Sequence, residues 1–314
     1  MRTVYVALSK FCEQDDGPRR VLTEAGLDVL ENKTGRRLRE EEMYALLKDV
    51  DGVLAAVEPY RAGLLEKLPR LKCISRCGVG TDNIDLEAAE KYGKAVFNTP
   101  DEIVEPVAQM TVAMILNLAR RLNRYASDFW KGEWVKRSGF LLSEWTAGII
   151  GFGRVGKRVA HYLKPFGTRI LVYDPAVSPA QFPEFLFCRS LDELLSQSDI
   201  VTLHAGRPTR EGVLMNLESF RKMKPGSYFV NTSRGYLVDE TALHEMLVCG
   251  HLAGAALDVF AQEPYQGSLN SLLQVIGTPH AATLTRASRS AMELKAAQNL
   301  ACFFSTCTKT TGSI

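Results

Sequence analysis

Ala147-Gly148-Ile149-Ile150-Gly151-Phe152-Gly153-Arg154-Val155-Gly156-Lys157 is an apolar run that enters G-x-G-x-x-G and continues as helical pattern. Gly151 permits a tight turn, Gly153 lets backbone approach a pyrophosphate, and Gly156 lets helix and strand pack closely. The N–H groups of Arg154 and Val155 would then face phosphate at a helix N-terminus. A bare G-x-G-x-x-G arises by chance in roughly one chain of this length in ten at the usual ~7% glycine. Context sharpens it. A second strand pattern, Thr168–Tyr173, ends in Asp174, about twenty residues on, where a carboxylate accepts from an adenine-ribose 2′-hydroxyl and repels a 2′-phosphate. The stretch predicts a dinucleotide site that favours NAD over NADP.

Outward from this point the strand pattern recurs at Asp199–His204, Ser227–Asn231, Ala253–Val259 and Val275–Thr278. With Ala147–Gly151 and Thr168–Tyr173 this makes six strands with helical stretches between them, as a doubly wound sheet requires. Upstream, strands at Arg2–Leu8, Gly52–Val57 and Lys72–Ser75 alternate with helices at Arg19–Ala25, Glu40–Lys48, Arg61–Lys67 and Leu86–Tyr92. A long amphipathic helix over Pro106–Leu122 and a tail helix over Ala287–Phe304 link the two runs. The predicted fold is α/β, with two Rossmann/flavodoxin-like doubly wound parallel-sheet domains and an inter-domain cleft. Residues 1–98 plus 284–314 form a discontinuous catalytic domain, and 99–283 the nucleotide-binding domain. The tail is too short for a further domain, and the two linking helices are expected to act as hinges.

The 314 residues are 46% hydrophobic and 24% charged, with a formal net charge of +2. That balance gives no electrostatic case for nucleic acid. No apolar run approaches the ~20 residues of a membrane span, and the opening Met1–Leu8 is too short for a secretory leader. The seven cysteines, at 12, 73, 77, 188, 249, 302 and 307, form no C-x-x-C pair and no zinc spacing with histidine. No metal site is expected; reduced thiols and a cytoplasmic setting are.

Three segments fall where parallel strands end, the edge at which such sheets bind ligands. They are Asn231-Thr232-Ser233-Arg234-Gly235, Asp258-Val259-Phe260-Ala261-Gln262-Glu263-Pro264 and Gly277-Thr278-Pro279-His280. Hydride transfer to a 2-keto acid needs a fixed cation, an acid for the keto oxygen, and a group that tunes the acid. Arg supplies a permanently charged planar fork, His a proton near neutrality, and Glu a partner that fixes the imidazole. Singly, these would be a surface ion pair, a structural histidine and a turn. Together, at matching strand ends, they read as Arg234, His280 and Glu263 in a catalytic trio.

These motifs resemble the D-isomer-specific 2-hydroxyacid dehydrogenase family, over nearly the whole chain. The resemblance implies Arg234 as substrate-binding catalytic residue, Glu263 from D-V-F-x-x-E-P, and His280 from T-P-H as acid and base. It implies that Asp258 contacts the nicotinamide carboxamide, and that Thr232 and His204 lie near the cofactor. In Arg76-Cys77-Gly78-Val79-Gly80-Thr81-Asp82-Asn83-Ile84-Asp85, successive N–H groups of a glycine-rich turn form an anion nest. The family's matching loop binds the substrate carboxylate, a role that falls here on the amides of Cys77, Gly78 and Val79. Arg76 resembles the phosphate-binding arginine of the phosphoglycerate dehydrogenase branch. The reading from residues alone leaves an ion-paired structural arginine open, and Cys77 reads as packing. Two departures from the family pattern are Gln109, where Glu is common, and Ala281-Ala282, where Gly-Gly is frequent. The resemblance further implies a homodimer, through the Pro106–Leu122 helix and the Trp130/Trp134 segment. The expected substrate is D-3-phosphoglycerate. An unphosphorylated D-2-hydroxy acid (glyoxylate, hydroxypyruvate or lactate type) and an NAD-sensing corepressor-like binding module are the alternatives.

Overall fold

The computed structural model describes residues 1–206 and 212–309. In chain order the elements are β1 (Arg2–Val6), α1 (Gly17–Glu24), β2 (Leu27–Glu31), α2 (Glu40–Leu47), β3 (Gly52–Ala55), α3 (Ala62–Glu66), β4 (Cys73–Arg76), α4 (Leu86–Lys91) and β5 (Ala95–Phe97). Then follow α5 (Val104–Arg120), α6 (Leu122–Trp130), β6 (Thr146–Ile150), α7 (Arg154–Leu163), β7 (Arg169–Tyr173), β8 (Leu186–Phe187), α8 (Leu191–Gln197) and β9 (Ile200–Leu203). The chain continues through α9 (Leu217–Lys222), β10 (Ser227–Asn231), α10 (Glu240–Val248), β11 (Leu252–Leu257), β12 (Val275–Gly277) and α11 (Arg286–Lys309). Two compact units result: Met1–Ile103 with the chain from Leu284 onward, and Val104–Thr283.

The first unit holds a parallel sheet in the order β2-β1-β3-β4-β5, the flavodoxin-like winding. α11 completes its core. The Ser75 hydroxyl donates to Ala296 O at 2.8 Å, and Gly52 leaves room for the Phe304 ring, which a Cβ there would meet at 2.8 Å.

The second unit holds a parallel sheet in the order β12-β11-β10-β9-β6-β7-β8. Counted along the unit, this is the Rossmann order with one strand added, reversing between β6 and β9. Residues of α5 and α7 build the core on one face, and residues of α8, α9 and α10 the core on the other. β9 and β10 are buried throughout, as strands covered on both faces must be. Both doubly wound parallel sheets are therefore as the sequence predicts.

Three short strands escape the sequence pattern. β2 and β5 are the edge strands of the first sheet and β8 is an edge of the second. β2 reads Leu-Asp-Val-Leu-Glu and exposes two of its five residues, so it lacks the apolar run that marks a covered strand. The predicted Pro106–Leu122 helix is present as α5 and stops at Arg120, and an unpredicted helix, α6, follows it. Arg121 adopts a left-handed conformation, φ 55°, and the Asn117 side chain accepts from Asn123 N at 2.9 Å across the break.

Candidate active site

At the end of β6 the glycines take the parts their spacing predicts. Gly151 has φ +89°, and a Cβ there would lie 2.6 Å from Ala205 N. A Cβ on Gly156 would lie 2.1 Å from Gly151 O, whereas Gly153 faces open space with nothing within 4 Å. Gly153 is the N-cap of the ten-residue α7, whose N-terminus has no side-chain cap and no acidic residue in its first turn. The donors and the dipole there suit an anion. Asp174 closes the cradle: its Oδ2 accepts from Phe152 N at 2.7 Å and its Oδ1 from Ala176 N at 2.9 Å. Each oxygen keeps a lone pair for a ribose hydroxyl. The residues present fit NAD.

His204, at the end of β9, shares a bond between Nε2 and the Thr202 hydroxyl at 2.9 Å. Burial drives its pKa down to about 3, so this ring is neutral and no proton donor. Thr232 is buried, its hydroxyl paired with that of Thr111 at 2.8 Å. The Thr232 side chain is thus tied to α5.

The loop after β10 is folded by Asn231. Its Oδ1 accepts from Ser233 N at 2.9 Å, and its Nδ2 donates to Arg234 O at 2.9 Å. Arg234 Nη1 donates to Ser233 O at 2.9 Å. The next residue, Gly235, lies so close to the loop after β11 that a Cβ would sit 1.9 Å from the carbonyl carbon of Phe260. Sequence reasoning missed this joint, although the glycine following Arg234 was its signal.

Asp258, 1% exposed, anchors the His280 loop. Oδ1 accepts from Thr278 Oγ1 at 2.5 Å and Ala281 N at 2.8 Å; Oδ2 accepts from Ala282 N at 3.0 Å; and His280 N donates to Asp258 O at 2.8 Å. The Ala281-Ala282 departure thus places its two amides on this carboxylate. These bonds offset the cost, on the order of 1 kcal/mol, of holding His280 in the left-handed region, at φ +51°. His280 Nδ1 lies 2.9 Å from Glu263 Oε2, and Glu263 Oε1 accepts from Phe260 N at 3.1 Å. With Glu263 ionised, Nδ1 carries the donated proton and Nε2 is left for chemistry. Within the second unit the structure therefore brings Glu263 and His280 together, with Arg234 on the adjoining loop.

The glycine-rich loop of the first unit departs from its expected role in part. Cys77 N donates to Ala55 O at 2.9 Å, and Gly78 N to the Thr99 hydroxyl at 2.8 Å. Two of the three amides read as carboxylate donors are already committed. Val79 and Gly80 have amides without a partner among the described residues. The Arg76 guanidinium folds back to donate to Cys77 O and lies over Gly78, where a Cβ would meet Nη1 at 2.7 Å. Burial pushes the Cys77 thiol up to about 11, which removes it as a nucleophile. Gln109 donates to Glu105 at 2.8 Å on the surface of α5. Among the described residues, no acidic, cysteine and histidine group could hold a metal, and no helix is long and apolar enough to cross a membrane.

Residues 112–282 match the family model described as the NAD binding domain of D-isomer specific 2-hydroxyacid dehydrogenases. The chain is 37% identical over 279 residues to a D-3-phosphoglycerate dehydrogenase of Methanocaldococcus jannaschii, covering 87% of this chain and 52% of that protein. It is 36% identical over 255 residues to a hydroxypyruvate reductase of Thermotoga maritima, covering 79% and 82% respectively. The solved D-lactate dehydrogenase of Aquifex aeolicus, complexed with NAD and lactic acid, superposes with a TM-score of 0.82 at 30% identity, over 98% of this chain and 97% of that one. The chain spans about half the length of the curated phosphoglycerate dehydrogenases it matches.

Proposed function

Because the chain belongs to the D-isomer specific 2-hydroxyacid dehydrogenase family and carries its NAD-binding domain, we propose that it is an NAD-dependent oxidoreductase of D-2-hydroxy acids, with 3-phosphoglycerate and 3-phosphohydroxypyruvate as the leading pair. The observation that carries this reading is the 2.9 Å His280–Glu263 bond. It aims a defined imidazole nitrogen outward beside an arginine loop. When bound, the reduced nicotinamide supplies the hydride for C2. Arg234 holds the carboxylate and polarises the keto oxygen through its fork. His280 Nε2 gives its proton to that oxygen, and Glu263 stabilises the imidazolium. In the oxidative direction His280 takes the proton back. Within the first unit, Val79 and Gly80 are the loop amides left to receive an anion.

A panel of 2-keto acids with and without a terminal phosphate, assayed with NADH, tests the reading; no turnover on any of them overturns it. The Thermotoga maritima relative, matched over most of its length, favours a second reading with hydroxypyruvate itself as substrate. Arg76 separates the two. In the phosphoglycerate reading it swings off Cys77 O to the phosphate, so Arg76→Ala raises KM for 3-phosphohydroxypyruvate by roughly ten- to a hundredfold. KM for hydroxypyruvate changes little. Equal effects on both would make Arg76 structural. Asp174→Ala is expected to weaken NAD and relax discrimination against NADP; a wild-type preference for NADPH would refute the assignment.

The proposal extends to a cytoplasmic homodimer. The homodimer is supported by an apolar surface around Trp130 and Trp134, 84% and 86% exposed. The segment between Trp130 and Arg137 is strapped in place: Arg137 pairs with Asp128, and Arg137 N donates to the Tyr125 hydroxyl at 2.9 Å. Such a preformed apolar patch suits association. Trp134→Glu should sediment as a monomer where the wild type sediments as a dimer.

A further inference from the structure

Glu240 opens α10, immediately after the N-cap Asp239. Capping is complete without it, since Asp239 Oδ1 accepts from both Thr241 N and Ala242 N at 3.0 Å. The Glu240 carboxylate reaches across instead to the loop after β11, where its Oε1 accepts from Ala261 N at 2.7 Å. The preceding amide, Phe260 N, donates to Glu263 Oε1. Two successive amides are thus each held by a carboxylate, one from within the loop and one from α10. Between these amides lies the Phe260 carbonyl, against which Gly235 packs. The Phe260 ring is itself stacked on Tyr265, with centroids 4.3 Å apart.

A peptide plane fixed at both ends cannot rotate. Across the Phe260 Cα, the adjoining Val259–Phe260 peptide presents Phe260 N to Glu263 Oε1, and Oε2 is left facing His280 Nδ1 at 2.9 Å. Released at Ala261, the Phe260–Ala261 peptide would be freer to turn about the Phe260 Cα, loosening the loop that presents Phe260 N to Glu263. The same bond ties the start of α10 to the loop that bears Glu263. Only the connection from Arg234 to Asp239 separates that helix from Arg234.

We propose that Glu240 is a positioning residue for the Glu263–His280 pair, acting through the Ala261 amide to hold Glu263 in the orientation that fixes the imidazole tautomer. What is required of Glu240 is an acceptor oxygen at the Ala261 amide, so Gln serves and Ala does not. Glu240→Ala should lower kcat by roughly three- to tenfold, a fraction of what acid catalysis contributes, and change KM for the keto acid less than twofold. Glu240→Gln should restore the loss.

The proposal rests on the reading of His280 as proton donor, and a measurement on the cofactor-free protein keeps the two apart. Long-range 15N–1H correlation spectra at pH 9, with the His280 signal assigned by its absence from His280→Asn, report which ring nitrogen carries the proton. The wild type and Glu240→Gln should show the Nδ1–H tautomer, and Glu240→Ala a mixture of the two, with near-wild-type circular dichroism. A His280 that keeps the Nδ1–H tautomer in Glu240→Ala overturns the proposal. So does Glu240→Gln behaving as Glu240→Ala, or a mixture already present in the wild type. Absence of keto-acid turnover in the wild type would instead defeat the functional reading.

Discussion

Arg234→Lys keeps the charge but not the fork. A guanidinium that holds a carboxylate and a keto oxygen together uses two parallel donors, which an ammonium cannot present. The expected loss is roughly two orders of magnitude in kcat/KM, or about 3 kcal/mol of transition-state stabilisation. Near-normal turnover by the Lys variant would remove Arg234 from the mechanism. His204 makes a different prediction. Its folded pKa of about 3 lies below the ordinary ~6.5. Between those values the unfolded chain binds a proton that the folded one refuses, so the contribution is constant above about pH 6.5 and stability falls as pH drops toward 3. The melting temperature should decline between pH 7 and pH 4.5, less steeply in His204→Asn. Parallel declines would show that the ring protonates in the folded protein. The position of Arg234, Glu263 and His280 on loops after strand ends was legible, because each follows its strand within a few residues and local pattern places it. The loop amides were not. Whether Cys77 N and Gly78 N are available depends on Ala55 O and Thr99, residues more than twenty positions away.

Between residue and molecule the loops after β10 and β11 behave as one interlocked piece. Gly235 is the point of contact, and Gly235→Ala would force a Cβ into the Phe260 carbonyl. Overpacking of this kind costs about 1–3 kcal/mol and would part the loop of Arg234 from that of Glu263. The variant should therefore lose at least about tenfold in kcat/KM along with a lower melting temperature. A drop in melting temperature with unchanged kinetics would mean that the loops move together. Elements with both faces covered were readable from apolar runs, and β9 and β10 are examples. Edge strands were not: Asp28 and Glu31 break up the apolar residues of β2, and β8 has only two residues. Periodicity placed the end of α5 to within two residues but not the helix α6 that follows across the left-handed Arg121.

In the whole molecule, one unit is continuous in sequence and the other is not. Val104–Thr283 contains every strand and helix of its own core, whereas the first unit needs α11 to cover β3 and β4. A chain ended after Thr283 should keep a protease-resistant fragment close to 104–283 while residues 1–103 are digested. Equal survival of both segments would show that the first sheet is stable without the helix. In the cell, this discontinuity becomes a matter of time. At ~5–20 residues per second, the roughly 180 residues from Val104 to Thr283 take about 10–40 s to synthesise. Throughout that interval the nascent five-stranded sheet waits on the ribosome with the faces of β3 and β4 uncovered. The segment translated ahead of Val104 thus reaches its native packing only after the whole of the unit that follows it has been made.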